Sequence, residues 1–374
     1  MGDSAAAAVP DSARASVALP GAHSAVRSLP TRAARPGEGW LRVASSGTCG
    51  TDVNLYRSGL AAPTVLGHHV AGTVVAVADD CGTRRWSAAA GERVVVEEYL
   101  PCGTCPACMS GAYRLCPDTD LWGGGRRIGT IPTSEEPGLY GGNAEYLLLP
   151  PNAVLHPLPG SLSDELAAWV LPYANALDWT LRAGGVTEGD TVVVLGPGYH
   201  GLAVTAAARW AGADVIVAGL RRDGARLGMA QRLGALTVTA DSGDELAAGV
   251  RRLLGSGYAD VVIDTVGPAA HVIAVAVGLL GQGGRLVLTT PKNPAHVPVD
   301  TTAMTRNNLT VTAVRGRRPE AITTAISSLA DGTSRLQDVP SADTTLEKTG
   351  DLLGRLAEGT GPETPHVVVR PHAV

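Results

Sequence analysis

The 374-residue sequence contains no phenylalanine, and arginine supplies nearly all of its positive charge. No apolar run approaches the ~20 residues that span a bilayer, so no membrane segment is predicted. The formal net charge of −5 is small for this length, which argues against a nucleic-acid or membrane-surface partner. The start of the chain lacks a basic segment followed by a long apolar core, so we expect a cytoplasmic protein.

The length and composition indicate a globular protein with two domains. Hydrophobic residues make up 45% of the chain and charged residues 17%, which is unlike a disordered protein. A chain of 374 residues is also too long for one ordinary core.

Two kinds of pattern divide the chain. After an Ala/Pro/Ser-rich segment at residues 1–37, short apolar runs broken by Gly and Pro predict an irregular β domain. From Ser161, apolar strands alternate with helical segments, which predicts an α/β fold with a doubly wound parallel sheet. We assign residues 160–316 to the sheet domain; the assignment of residues 1–159 and 317–374 to one β domain is what the family resemblance described below implies.

A glycine-rich loop follows the first predicted strand of the sheet domain, in VVVLGPGYHGLAV. Its G-x-G-x-x-G spacing, between a buried strand and an Ala-rich helix, is typical of a Rossmann dinucleotide site. The alternative is a plain strand–turn–helix without a ligand. The predicted cofactor-binding residues in the loop are Gly196, Pro197, Gly198, Tyr199, His200 and Gly201.

The end of the next strand bears on the choice of cofactor. An NAD-binding domain usually places Asp or Glu there for the ribose hydroxyls, whereas this chain has Gly219. Arg221 and Arg222 follow, and two guanidinium groups can hold a 2′-phosphate. We therefore expect NADP(H) in preference to NAD(H). Two alternatives stay open: the arginines are only solvated, or Asp223 serves a ribose.

Four of the six cysteines form a C-x2-C-x2-C-x7-C motif, made by Cys102, Cys105, Cys108 and Cys116. Four thiolates at this spacing can surround one tetrahedral Zn²⁺ with no open position, so we predict a structural zinc in a cysteine lobe at about residues 99–117. An iron–sulfur cluster stays open as an alternative because Pro117 follows the last cysteine, although its usual spacing differs. The other alternative is four free thiols.

These segments together resemble the zinc-containing medium-chain alcohol dehydrogenases, the family of sorbitol and threonine dehydrogenases. GTCGTD at residues 47–52 and GHH at residues 67–69 are similar to two catalytic segments of that family. The cysteine lobe, LGPGYHG, DVVIDTVG and GGRLVLTT follow in the family order. The resemblance covers roughly residues 38–374 and implies a GroES-like β domain plus a Rossmann domain.

The resemblance implies an enzyme that transfers hydride between NAD(P) and an alcohol or carbonyl of a small molecule, as a homodimer or homotetramer. It implies that Cys49 and His68 bind a catalytic zinc, which would polarise the carbonyl or stabilise the alkoxide. Thr51 would hydrogen-bond the substrate oxygen and pass its proton, and Asp52 would orient His68. His69 is a further candidate catalytic residue.

The sequence departs from the family pattern at three positions. The third zinc ligand of the family is Cys or Glu, and the match of AAWVLP to Ala-Ala-x-x-Glu-Pro places Leu171 there. His69 stands where the family has Glu, and Asn54 stands where a proton-relaying His is common. A replacement ligand can come from His69, Asn175 or Asp178, or His69 can be a neutral imidazole beside the site.

Three functions compete on this evidence. The first is a zinc-dependent alcohol dehydrogenase or carbonyl reductase with rearranged ligation. The second is an NADPH-dependent reductase of a conjugated C=C or iminium group that needs no catalytic zinc, in which Tyr173 or His69 supplies the proton; specialised biosynthesis is one setting for it. The third is a binding protein that kept the fold and lost the chemistry.

Overall fold

A computed structural model describes residues 9–58, 60–80, 82–267 and 269–373 of the chain. These residues form two compact units. The first unit contains the described residues up to Leu171, together with Ser341–Pro362 and the residues from His366 onward. The second unit contains Pro172–Pro340 and Glu363–Pro365.

The structure contains the following elements. The strands are β1 (Ser12–Leu19), β2 (His23–Pro30), β3 (Gly39–Gly47), β4 (Thr64–Val65), β5 (His69–Val77), β6 (Arg93–Val96), β7 (Tyr146–Leu149), β8 (Leu155–Pro157), β9 (Thr191–Leu195), β10 (Asp214–Gly219), β11 (Leu236–Thr239), β12 (Ala259–Asp264), β13 (Leu280–Leu288), β14 (Thr310–Ala313), β15 (Ala342–Thr344) and β16 (Val367–Val369). The α-helices are α1 (Gly50–Ser58), α2 (Pro106–Met109), α3 (Asp164–Ala167), α4 (Val170–Leu177), α5 (Tyr199–Trp210), α6 (Gly224–Arg232), α7 (Gly243–Leu254), α8 (Val272–Leu279), α9 (Thr301–Arg306), α10 (Pro319–Ala330) and α11 (Thr349–Glu358). A π-helical segment (Asp178–Ala183) follows α4.

The first unit is built from β-sheets, as the broken apolar runs predict. Among its described residues, the strand order is β2-β1-β4 in one sheet and β15-β16-β3-β5-β6-β8 in the other, with β7 paired to β3. The neighbours of β3 and β5 run antiparallel to them. Trp40 and Leu41 of β3 are buried with Leu147 and Leu148 of β7, so the core lies beside β3.

The β1–β2 hairpin was not predicted from the Ala/Pro/Ser-rich start of the chain. β1 pairs along its length with β2, from Ser12 opposite Pro30 to Leu19 opposite His23. Its buried face consists of Ala13, Ala15 and Val17. These residues alternate along the strand, but small side chains give a weak hydrophobic signal.

The second unit contains the predicted parallel sheet. Within its described ranges, the strand order is β11-β10-β9-β12-β13-β14 and every pair is parallel. This is the doubly wound order of a Rossmann fold, in which ligands bind where the strand order reverses, here between β9 and β12. β11 and α7 were not predicted, because β11 is short and largely exposed and α7 buries only Leu246 and Val250.

The sequence placed the boundaries after residues 159 and 316. In the structure the first unit extends to Leu171 and the second to Pro340. α3 packs on β3 and β5, so the first unit continues past residue 159. Arg317 is buried and donates from Nη1 to Oδ1 of Asn175 at 3.2 Å, so the second unit continues past residue 316. In the part of the chain that the structure describes, no helix is long and apolar enough to cross a membrane.

A buried ion pair lies at the carboxyl end of β12. Asp264 ends the strand and is fully buried, and Nζ of Lys292 lies 2.5 Å from its Oδ2. The same ammonium donates to the carbonyl oxygens of Val266 and Gly267, at 2.5 Å and 3.1 Å. Burial raises the pKa of Asp264, and the ammonium of Lys292 acts against that rise. The ammonium of Lys292 therefore offsets the charge of the buried Asp264 carboxylate, and its hydrogen bonds hold the loop that follows β12.

We expect Lys292→Met to lower the free energy of unfolding by about 3 kcal/mol near neutral pH, because it leaves the buried Asp264 without its cation. The pKa of Asp264 should then rise further, and the folded state should take up a proton as the pH falls. The loss should therefore be smaller at about pH 5 than at about pH 7. Denaturant unfolding at both pH values measures it. Lys348→Met, at the chain's only other lysine and an exposed position, is the matched control. Equal losses at the two pH values would contradict the pairing.

Candidate metal and dinucleotide sites

Asp52 connects the segments that carry the predicted catalytic residues. It lies in the first turn of α1 and is 1% exposed. Its Oδ2 accepts a hydrogen bond from the backbone N–H of Cys49 at 2.9 Å, the reach-back contact of a capping box. Its Oδ1 accepts from the N–H of Gly67 at 3.2 Å and lies 3.1 Å from Nδ1 of His68. One carboxylate thus fixes the chain after β3 against the turn before β5.

The turn before β5 requires glycine at position 67. Gly67 has a φ of +94°, and a Cβ there would lie 2.5 Å from Oγ of Ser46 and 2.6 Å from Oδ1 of Asn143. A side chain therefore meets both an unfavourable conformation and a steric clash. The sequence pointed to this residue only as the glycine of the GHH motif.

The hydrogen bond to Asp52 decides which nitrogen of His68 is available. Burial lowers the pKa of His68, but the charge and hydrogen bond of Asp52 outweigh burial and raise that pKa well above its ordinary value. Since Nδ1 faces Asp52, Nε2 is the nitrogen that would bind a metal, after it loses the proton that the raised pKa favours. Asp52 thus lies beside His68, and its role in orienting that ring stays a prediction.

Cys49, His68 and His69 form a potential metal-binding group. Their sulfur and ring nitrogen atoms all lie within 4.8 Å of one another, and the three residues are buried. Ligand atoms on one tetrahedral zinc lie about 3.5 Å apart at ordinary bond lengths, so the group fits such an ion after small movements. Oγ1 of Thr51 lies 3.9 Å from Sγ of Cys49. The structure thus brings the predicted catalytic residues together around Asp52.

The positions that depart from the family pattern have non-ligating environments. Leu171 is fully buried and offers no donor atom. Asn54 is exposed, and its Oδ1 accepts from Nη2 of Arg57 at 3.2 Å. Tyr173 is fully buried, and burial raises the pKa of its phenol, which makes it a poor proton donor for a substrate.

Two of the predicted replacement ligands already have partners within the second unit. Both carboxylate oxygens of Asp178 accept from the guanidinium of Arg182, each at 2.8 Å. Asn175 accepts from the buried Arg317 through Oδ1, and its Nδ2 lies 3.5 Å from Nε2 of His200.

The four cysteines of the cysteine lobe converge on one point. The sulfur atoms of Cys102, Cys105, Cys108 and Cys116 all lie within 4.8 Å of one another. Backbone N–H groups point at two of them: those of Thr104 and Cys105 lie 3.5 Å and 3.3 Å from Sγ of Cys102, and that of Cys102 lies 3.3 Å from Sγ of Cys116. These donors favour thiolates, and four thiolates suit a tetrahedral ion.

The thiols of the cysteine lobe differ in pKa. The backbone N–H of Thr104, together with its hydroxyl and the N–H of Cys105, lowers the pKa of Cys102 to about 6. Burial raises the pKa of Cys108 to about 12 and also raises that of Cys116. Cys102 is therefore the thiol of the three that loses its proton most readily, whereas Cys108 and Cys116 must lose protons when a metal ion binds.

The glycine loop has the shape of a dinucleotide cradle. A Cβ at Gly201 would lie 1.8 Å from the carbonyl oxygen of Gly196, so α5 packs on β9 only with glycine there. Gly198 precedes α5, and a Cβ there would meet no atom within 4 Å, so this backbone is open to a ligand. The N-terminus of α5 favours a negative charge at that opening. The other loop side chains pack inward: Pro197 lies against Gly219, Tyr199 is buried, and His200 stacks near Trp179 with ring centroids 5.1 Å apart.

The end of β10 has no room for an acidic side chain. A Cβ at Gly219 would lie 2.8 Å from Cγ of Pro197. Asp223 uses Oδ2 to accept from the N–H of Leu220 at 3.0 Å. Nε of Arg221 lies 3.0 Å from Oδ2 of Asp241. Sequence reasoning missed this partner, although an acidic residue directly after β11 could have indicated it. Arg222 is exposed.

Comparisons with known proteins match both units. Residues 35–160 match the family model of the alcohol dehydrogenase GroES-like domain, and residues 201–331 match that of the zinc-binding dehydrogenases. The chain is 34% identical to a probable alcohol dehydrogenase of Mycobacterium tuberculosis over 341 residues, which cover 88% of this chain and 91% of that protein. The chain belongs to the zinc-type medium-chain dehydrogenase/reductase family. It is accordingly an NAD(P)-dependent oxidoreductase, and the predicted resemblance and fold are confirmed.

Two further members of the medium-chain family extend the comparison. Sorbitol dehydrogenase of Bacillus subtilis is 26% identical, over 93% of this chain and 94% of its own length. A solved structure of a zinc-binding dehydrogenase from Sinorhizobium meliloti, bound to NADP, has a TM-score of 0.78 and 25% identity. It covers 97% of this chain and all of its own chain.

We expect Gly198→Ala to weaken NADPH binding at least tenfold without lowering stability. Its φ of −75° suits alanine and its Cβ meets no protein atom, but the methyl group occupies the space through which a pyrophosphate would approach the backbone. Isothermal titration with NADPH and thermal unfolding measure the two effects. Gly201→Ala is the contrasting variant, because its Cβ clashes with Gly196 and should impair folding. Unchanged affinity in a folded Gly198→Ala protein would contradict the cradle.

Proposed function

We propose that this enzyme transfers hydride between NADP(H) and an alcohol or carbonyl group of a small molecule, at a zinc held by Cys49 and His68. The observation that carries the proposal is the buried convergence of ligand atoms from Cys49, His68 and His69, with His68 held by Asp52. An ion at such a site must bind imidazole and thiolate ligands, and Zn²⁺ is commonly held by both.

The protein residues have distinct tasks in this reaction. Zinc, when bound, would supply a Lewis acid for a substrate oxygen. Asp52 holds the imidazole of His68 through Nδ1 and fixes the backbone of Cys49, so that neither ligand has to be ordered on binding. The hydroxyl of Thr51, 3.9 Å from the sulfur of Cys49, is the group that would exchange a proton with the substrate oxygen.

We assign a second, structural zinc to the cysteine lobe. The lobe offers four sulfur atoms around one point, so a bound ion has no open position for a substrate. An iron–sulfur cluster remains the alternative occupant, which absorption spectra of the purified protein distinguish from zinc. The homodimeric or homotetrameric state and the cytoplasmic location stay predictions.

The preference for NADP(H) rests on the end of β10. Gly219 has no space for an acidic side chain, and Asp223 already caps the following turn. A ribose with free hydroxyls therefore lacks its usual acceptor, whereas the exposed Arg222 and the neighbouring Arg221 offer positive charge for a 2′-phosphate.

We expect Arg222→Ala to weaken NADPH binding about tenfold or more and to leave NADH binding unchanged, because NADH lacks the 2′-phosphate. Fluorescence titrations with both nucleotides give the ratio. Arg252→Ala, at another exposed arginine on α7, is the control and should change neither affinity. If wild-type protein binds NADH more tightly than NADPH, the proposed preference is wrong.

The catalytic zinc is tested through Cys49. The wild-type protein should hold about two zinc ions per chain, and Cys49→Ser should lose one of them. Its reduction of carbonyl compounds should fall at least a thousandfold while NADPH affinity is kept. Cys116→Ser should instead lose the ion of the cysteine lobe and lower stability.

The competing function is an NADPH-dependent reductase of a conjugated C=C or iminium group without catalytic zinc. Activity toward such acceptors that survives Cys49→Ser would favour that function over ours.

A further inference from the structure

The proposed catalytic zinc lacks one protein ligand. Catalytic zinc sites in proteins keep three protein ligands and leave a fourth position for water or substrate. Cys49 and His68 supply two of them. The position at which the family has its third ligand holds Leu171, which is fully buried and has no donor atom.

The rings of His68 and His69 lie on the same side of the chain. Successive side chains of a regular strand point to opposite faces. Here the two ring centroids are only 4.5 Å apart, with an interplanar angle of 69°. The irregular backbone at Gly67, with its φ of +94°, directly precedes the pair, and His69 begins β5 opposite Gly47. The sequence left open whether His69 is a ligand or a neutral imidazole beside the site.

The placement brings His69 within reach of the same ion. Its ring offers a nitrogen that lies within 4.8 Å of the ligand atoms of both Cys49 and His68, and the residue is 3% exposed. Among the described His, Cys, Asp and Glu side chains, His69 is the third member of the group that converges with Cys49 and His68.

We propose that His69 is the third protein ligand of the catalytic zinc, in place of the ligand that Leu171 cannot provide. This assignment rests on the proposed zinc-dependent function. It gives a set of one thiolate and two neutral imidazoles. A zinc ion held by this set would keep a net charge of +1, which would favour an anionic substrate oxygen over a neutral one.

The test replaces His69 by an aromatic ring that cannot bind metal. His69→Phe keeps a buried ring beside His68 and should reduce affinity for the catalytic zinc at least about 100-fold, more than the 10–100-fold typical of losing an outer partner. Metal analysis should then find about one zinc per chain instead of about two. After cobalt replacement, the variant should also lose the thiolate-to-cobalt absorption that Cys49→Ser removes. His23→Ala, at an exposed histidine, is the control.

The outcomes separate the two proposals. If wild type and His69→Phe both hold two zinc ions, His69 is not a ligand and the proposed function stands. If wild type holds only the ion of the cysteine lobe and still reduces its substrate, the zinc-dependent function fails, and this assignment with it. NADPH affinity and thermal unfolding show whether His69→Phe is folded. If it does not fold, His69→Gln is measured in the same way, and retention of both ions in a folded variant rejects the assignment.

Discussion

The carboxylate of Asp52 is the contact on which the catalytic segment depends. It accepts hydrogen bonds from the backbone N–H groups of Cys49 and Gly67 and faces the ring of His68. It thus connects Cys49, three positions before it, with Gly67 and His68, which follow 15 and 16 positions later. Each of these hydrogen bonds involves a buried charge, for which net contributions of about 1.5–3 kcal/mol are usual. Without them, β3 and β5 would still pair, but their ends would not present Cys49 and His68 to one ion.

Close backbone contacts perform the corresponding task in the second unit. The carbonyl of Gly196 touches the backbone of Gly201, and Pro197 fills the space beside Gly219. The first contact sets how closely α5 approaches β9, and the second removes the acceptor that a ribose would need. The shape of the loop and the proposed cofactor preference thus have a common origin in the packing of Gly196, Pro197, Gly201 and Gly219.

Much of this could be predicted because the signals are local. The cysteine lobe and the glycine loop are each short segments whose spacing is itself the constraint, and the parallel sheet shows in its apolar strands. The β1–β2 hairpin was missed because Ala13 and Ala15 bury little apolar area. The contact of Arg317 with Asn175 joins residues far apart in sequence, so no local pattern could indicate it. The direction of the His69 ring could not be decided from the sequence, because it depends on the irregular backbone at Gly67.

Charge balance gives the departures from the family pattern a common explanation. In the proposed site the thiolate of Cys49 is the one anionic ligand, and the carboxylate of Asp52 acts on the ion only through His68, which like His69 adds no negative charge. An anionic ligand at position 171 would cancel the positive charge that this ligand set leaves on a bound zinc. With leucine there instead, that charge would be left for a substrate oxygen as it becomes an anion. A neutral third ligand would therefore favour the charged state of the substrate, where it contributes to the reaction.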